Sequence, residues 1–161
     1  MNVGDSPAPH RLKRALAEAR AVYRKADALY EPFSCPASGE CCQLAKTQRP
    51  PWLFRAEWLL LERHLQENGR RLPEARADGG CPFLDATGLR CSVYADRPLG
   101  CRTFFCGRRQ GRGRDPLEEM SQLTRRLEEA TRALYPEDAD DADCEPRPLP
   151  QWFEEAQRGA R

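Results

Sequence analysis

Residues 79–107 read GGCPFLDATGLRCSVYADRPLGCRTFFCG, and together with FSCPASGECC at residues 33–42 they hold seven of the chain's eight cysteines. The seven are Cys35, Cys41, Cys42, Cys81, Cys91, Cys101 and Cys106, while Cys144 stands apart in an acidic stretch. Neither segment has the three-and-four spacing of a helix face, and glycine and proline set its path instead. The turn residues Asp85-Ala86-Thr87-Gly88, between the short apolar runs CPFL and LRCSVY, predict a small hairpin carrying Cys81 and Cys91. The bend at Arg97-Pro98 then returns Cys101.

Cysteines that merely pack are scattered along apolar helix faces, whereas these lie in loops with few apolar side chains to hold them. A metal would supply what is missing, since structural zinc contributes on the order of 10 kcal/mol to the folding of small modules. The spacing matches no pair of C-x-x-C knuckles and no C-x-x-C followed by a histidine pair. Adjacent Cys41 and Cys42 are expected to point apart, unless a special turn brings them together or they serve two centres. Seven thiols exceed the four of one tetrahedral zinc or one [4Fe–4S] cluster and fall short of two separate sites, so the sequence admits one centre with spare thiols or linked centres.

Over roughly residues 33–107 the chain resembles the YkgJ-type cysteine cluster proteins, a zinc- or iron-chelating family with a C-x-x-C-x-x-C-C signature. The family's later segments correspond to Cys81-Pro82-Phe83-Leu84, Cys91-Ser92-Val93-Tyr94, Arg97-Pro98 and Cys101-Arg102-Thr103-Phe104. Ser38 stands where the second cysteine of the signature belongs. A serine hydroxyl stays protonated and suits thiophilic metals poorly, so it is expected to bond the backbone. Arg97 and Arg102 are candidates to offset the negative charge of a thiolate centre, with ordinary surface pairing as the alternative. Tyr94 and Phe104 are expected to shield it from water.

Outward from this region the pattern turns helical. Leu12, Leu16, Ala19, Tyr23, Ala26 and Tyr30 predict an amphipathic helix over 8–30, its stripe packing in a core or against a second copy. After Pro50-Pro51, a helix from Trp52 to Glu67 would bury Phe54, Trp58, Leu61 and Leu65 and stop at Asn68-Gly69. His64 lies near that face, and a lone histidine is more often structural than a ligand. A third helix over 115–135 begins with Asp115 as cap, Pro116 at the first position and Glu118 completing a capping box, and carries Leu117, Met120, Leu123, Leu127, Ala130 and Leu134 on one face. The expected organisation is a mainly α fold: a small helical domain, 1–136, around an irregular cysteine-rich metal-binding core (33–107) with one short β-hairpin. Residues 137–161 form an acidic, proline-rich linker and a docking segment led by Trp152 and Phe153. Asp138, Asp140 and Asp143 lack the glycine and distal glutamate of a calcium loop.

Twenty-six basic residues against 25 acidic give no net-charge argument for a nucleic-acid or membrane partner, so such a partner would need a local patch. No stretch is apolar enough to span a membrane, and the start lacks the apolar core of a secretory signal, which points to the cytoplasm and to free thiols. The expected function is binding of zinc or an iron–sulfur cluster, the metal mainly organising the fold. The alternatives are an iron–sulfur redox or enzyme-associated protein, and a nucleic-acid module using Arg108, Arg109, Arg112 and Arg114. Nucleophilic catalysis ranks last, because His10 and His64 are the only candidate histidine bases.

Overall fold

The computed structural model describes residues 7–31, 38–103, 116–136 and 144–159. Helix α1 (Pro9–Leu29) buries Ala15, Leu16, Ala19, Val22, Tyr23 and Ala26, the face its spacing predicts. It packs on α3 (Arg55–Glu67) and α5 (Leu117–Arg132), and a core of Leu16, Val22, Tyr23, Phe54, Leu60, Leu99, Leu123 and Leu127 fills the space between them. The fold is mainly helical, with the short helices α2 (Leu44–Thr47) and α4 (Leu99–Arg102) inside the cysteine region. Helix α6 (Leu149–Gly159) follows in the C-terminal segment.

The second helix starts later than its apolar spacing implies. Trp52–Leu53 is a short strand, β1, paired antiparallel with β2 (Arg147–Pro148) from the far end of the sequence. The helix begins at Arg55 because the Glu57 carboxylate accepts the Phe54 N–H at 2.9 Å, satisfying one of the free amides of the first turn. In α5, Pro116 occupies the cap position with no side-chain cap bond, and Leu117, expected on the packed face, is 71 % exposed with nothing among the described residues covering it. Asp115 lies outside the described residues.

α3 buries a second face, on which Leu53, Trp58, Leu61 and Leu65 meet Phe83, Val93, Leu149, Trp152 and Phe153. Trp152 stacks on Trp58 with centroids 6.0 Å apart and donates its indole N–H to the Leu53 carbonyl at 3.1 Å. Phe153 meets Trp58 and Phe83 edge-on. The docking segment led by Trp152 and Phe153 thus forms an 11-residue helix, Leu149–Gly159. Cys144 is buried. The hairpin near Cys91 reduces to one bridge, Leu84 to Cys91, closed by Asp85 N–H to Arg90 C=O (2.8 Å) and Ser92 N–H to Phe83 C=O (2.7 Å).

Candidate metal centre

Backbone bonds and packing against the Trp58, Leu61 and Leu65 face of α3 together bring Cys42, Cys81 and Cys91 into one region. Cys41 and Cys42 sit on a 3-10 turn (Glu40–Cys42) introduced by Gly39 at φ 67°. A Cβ on Gly39 would lie 2.1 Å from the Gly88 carbonyl oxygen, so only glycine lets this turn rest on the Asp85–Gly88 turn. The tight pitch brings the Cys41 and Cys42 sulfurs to 3.9 Å, where an extended chain would point them apart. The Cys42 carbonyl accepts the Cys81 N–H at 2.7 Å, and Cys101 joins α4 through its N–H to the Pro98 carbonyl at 2.9 Å. The six described cysteines are free thiols, with Cys81 and Cys144 buried and Cys41, Cys42, Cys91 and Cys101 half-buried.

Thiol acidities record how closely five of these groups share a neighbourhood. The hydrogen bond to Cys42, then burial, pushes Cys41 far up. The contact with Cys41 lowers Cys42, but the bond that the Cys42 S–H donates to Cys81, burial and the charges of Cys81 and Cys91 outweigh it and push Cys42 up to about 12. Burial raises Cys91, against the Val93 N–H and the Arg97 cation, and burial followed by Cys91, Cys42 and Cys41 raises Cys101. Ionising one of these thiols therefore disfavours ionising most of its neighbours, and a bound cation would relieve that opposition. Among the described residues no three Cys, His, Asp or Glu side chains already close around a common point. The donor chemistry nonetheless fits a thiophilic centre: soft sulfurs grouped on loops, with a guanidinium beside them.

That guanidinium is Arg97, which lowers both Cys41 and Cys91 and lies 3.8 Å over the ring of half-exposed Tyr94. Arg102 is buried and bonds elsewhere, to Asp27 of α1 at 2.5 Å, to the Arg97 and Ala95 carbonyls, and by its charge to the Tyr23 ring. Ser38 accepts the Glu40 N–H at 3.4 Å. His64 bonds Asp96 at 2.9 Å, tying α3 to the 3-10 turn Tyr94–Asp96. Cys35, Phe104, Cys106 and the Arg108–Arg114 loop lie outside the described residues.

Sequence reading passed over Glu57, which is 1 % exposed and joins three elements. Its carboxylate accepts Tyr23 O–H of α1 at 3.0 Å, Leu99 N–H of α4 at 2.7 Å and its own helix's Phe54 N–H. Burial raises its pKa against these donors, making the carboxyl a weaker acid. The signal was present as a glutamate three residues after Phe54, at the position of a capping box.

The arrangement defines a helical scaffold presenting clustered thiols. The CxxCxxCC family model, described as a putative zinc- or iron-chelating domain, matches residues 34–138, and the chain belongs to that family. No curated protein and no solved structure matches the chain. Among the described residues no helix is long and apolar enough to cross a membrane.

Proposed function

We propose that the chain holds zinc or an iron–sulfur cluster on thiols drawn from Cys41, Cys42, Cys81, Cys91 and Cys101, with Cys35 and Cys106 as further donors, and that the metal mainly organises the loop region. One observation carries this reading: Cys41, Cys42, Cys91 and Cys101 each have their ionisation shifted by neighbouring cysteines, Cys81 among them, although the five come from four separated backbone segments. Bound metal would supply the positive charge that lets neighbouring thiolates coexist, and Arg97 would offset the remaining negative charge. Arg102 serves by fixing the Ala95–Arg97 backbone from which Arg97 projects. Free thiols fit a reducing compartment such as the cytoplasm.

A redox role is the second reading, favoured by the half-exposure of Cys41, Cys42, Cys91 and Cys101, which leaves a cluster edge near the surface. Anaerobic purification with metal and sulfide analysis and an absorbance spectrum separates the two. Stoichiometric zinc in colourless protein supports the structural reading; iron with sulfide and a broad visible absorbance supports the redox one. Either metal should be lost in a Cys91→Ser/Cys101→Ser variant, and folded protein without metal would overturn both.

A further inference from the structure

The chain's near balance of 26 basic and 25 acidic residues conceals an uneven distribution. Helix α1 carries Arg11, Lys13, Arg14, Arg20, Arg24 and Lys25 but only two carboxylates, Glu18 and Asp27. Both carboxylates are neutralised from other elements: Arg126 of α5 reaches Glu18 at 2.6 Å, and Asp27 lies 2.5 Å from Arg102 and 3.8 Å from Arg97. Arg20 lies 3.8 Å from Glu67 of α3. Lys13, Arg14, Arg24 and Lys25 are exposed, and none has a carboxylate within ion-pair distance among the described residues.

Their placement is regular. Lys13 and Arg24 form one row and Arg14 and Lys25 another, the members of each row about three turns, or ~16 Å, apart along the axis. Ala17, Ala21 and Ala28 lie between the rows, with His10 in line with them near the start of the helix, so the floor between the cations is small side chains, while the bulky apolar residues of α1 face the core. The helix can therefore approach a surface closely with cations on both flanks.

We propose that this face of α1 is a docking surface for duplex nucleic acid, held through the phosphate backbone. A duplex presents about one phosphate charge per 1.7 Å of axis, so the stretch covered by the two rows meets ample charge on both sides of a groove. An anionic membrane suits the face less well, because interfacial helices insert Leu, Phe or Trp and this face offers alanines and His10 but no large apolar side chain. The contacts carry no base readout, so binding is expected to be tolerant of sequence. The surface uses residues distinct from the thiols Cys41, Cys42, Cys81, Cys91 and Cys101.

The test is fluorescence anisotropy of the full-length, metal-loaded protein against a labelled 20-base-pair DNA duplex and an RNA duplex, titrated across salt. Four phosphate contacts predict a slope of about −3.6 in log K against log salt for the DNA. The variant K13E/R14E/R24E/K25E is expected to bind at least ~100-fold more weakly at low salt and to lose most of the slope. The neutral variant K13Q/R14Q/R24Q/K25Q is expected to fall between, and keeps the test open if charge reversal impairs folding; circular dichroism and metal content confirm that each variant is intact. Binding of either duplex with these responses supports the proposal. No binding by the wild type at low salt, unchanged binding by both variants, or preference for phosphatidylserine vesicles over both duplexes would overturn it.

Discussion

The two faces of α3 are stabilised by different means. One faces α1 and α5 and is closed by Leu16, Val22, Leu60, Leu123 and Leu127, side chains brought together by regular helix periodicity. The other adjoins the cysteine loops, where Trp58, Phe83, Trp152 and Phe153 form an aromatic cluster against which Cys42, Cys81 and Cys91 also pack, and where backbone bonds such as Cys81 N–H to Cys42 C=O link the thiol-bearing segments. The helical side needs nothing beyond its own side chains. The thiol side brings sulfurs together whose charges oppose one another, and so its order should depend on what binds them.

Metal removal offers the sharpest separation of the two. Chelation of the loaded protein, or the Cys91→Ser/Cys101→Ser substitution, is expected to remove stabilisation on the order of 10 kcal/mol from the loop region. Hydrogen exchange over 38–53 and 79–103 should accelerate while the amides of α1 and α5 stay protected. Equal loss of protection on both faces would show that the two sides are one cooperative unit.

Leu60→Ala attacks the other side. Leu60 is 0 % exposed in the helical core, and its truncation should cost about 2–5 kcal/mol, read as a lower midpoint in denaturant. Metal stoichiometry at low denaturant should stay as in the wild type. Gly39→Ala is expected to have a smaller effect on global stability, about 1–3 kcal/mol, because it forces a left-handed residue against the Gly88 carbonyl. It should nonetheless weaken metal binding measurably in competition with a chromophoric chelator. A variant with wild-type affinity would show that the Cys41–Cys42 turn tolerates displacement.

These contrasts also explain what could be read from the sequence. The boundaries of α1 were legible because its face repeats over 21 residues. Strand β1 was not, because Trp52 and Leu53 look like the start of a helix until Arg147 and Pro148 arrive to pair with them. The cysteines stood out by residue type and by their glycine- and proline-rich setting, and the family they belong to followed from the segments around Cys81, Cys91 and Cys101. Their mutual placement did not follow, because it depends on long-range bonds: a 3-10 turn seated on Gly88, and Glu57 waiting for Tyr23 and Leu99. Arg97 and Arg102 are near neighbours in sequence, yet only the tertiary structure distinguishes the guanidinium beside the thiols from the one clamped to Asp27.

The smallest expected effect concerns the turn that delivers Cys81. The Arg76 guanidinium, helped by the Gly80 N–H, holds the Asp78 carboxyl down to about 2. Arg76 also reaches the Leu84 and Asp85 carbonyls, so this pair joins the approach to Cys81 with the turn before Cys91. Because the folded value lies below the ordinary 3.8, the contribution of Asp78 is present above that pH and fades as pH falls toward about 2. The difference in thermal midpoint between wild type and Asp78→Asn should therefore be positive near neutral pH and vanish in acid. Its size should be slight, since the pair is solvated and salt-screened. A difference that persists unchanged at low pH would mean that Asp78 acts through its shape in the turn rather than through its charge.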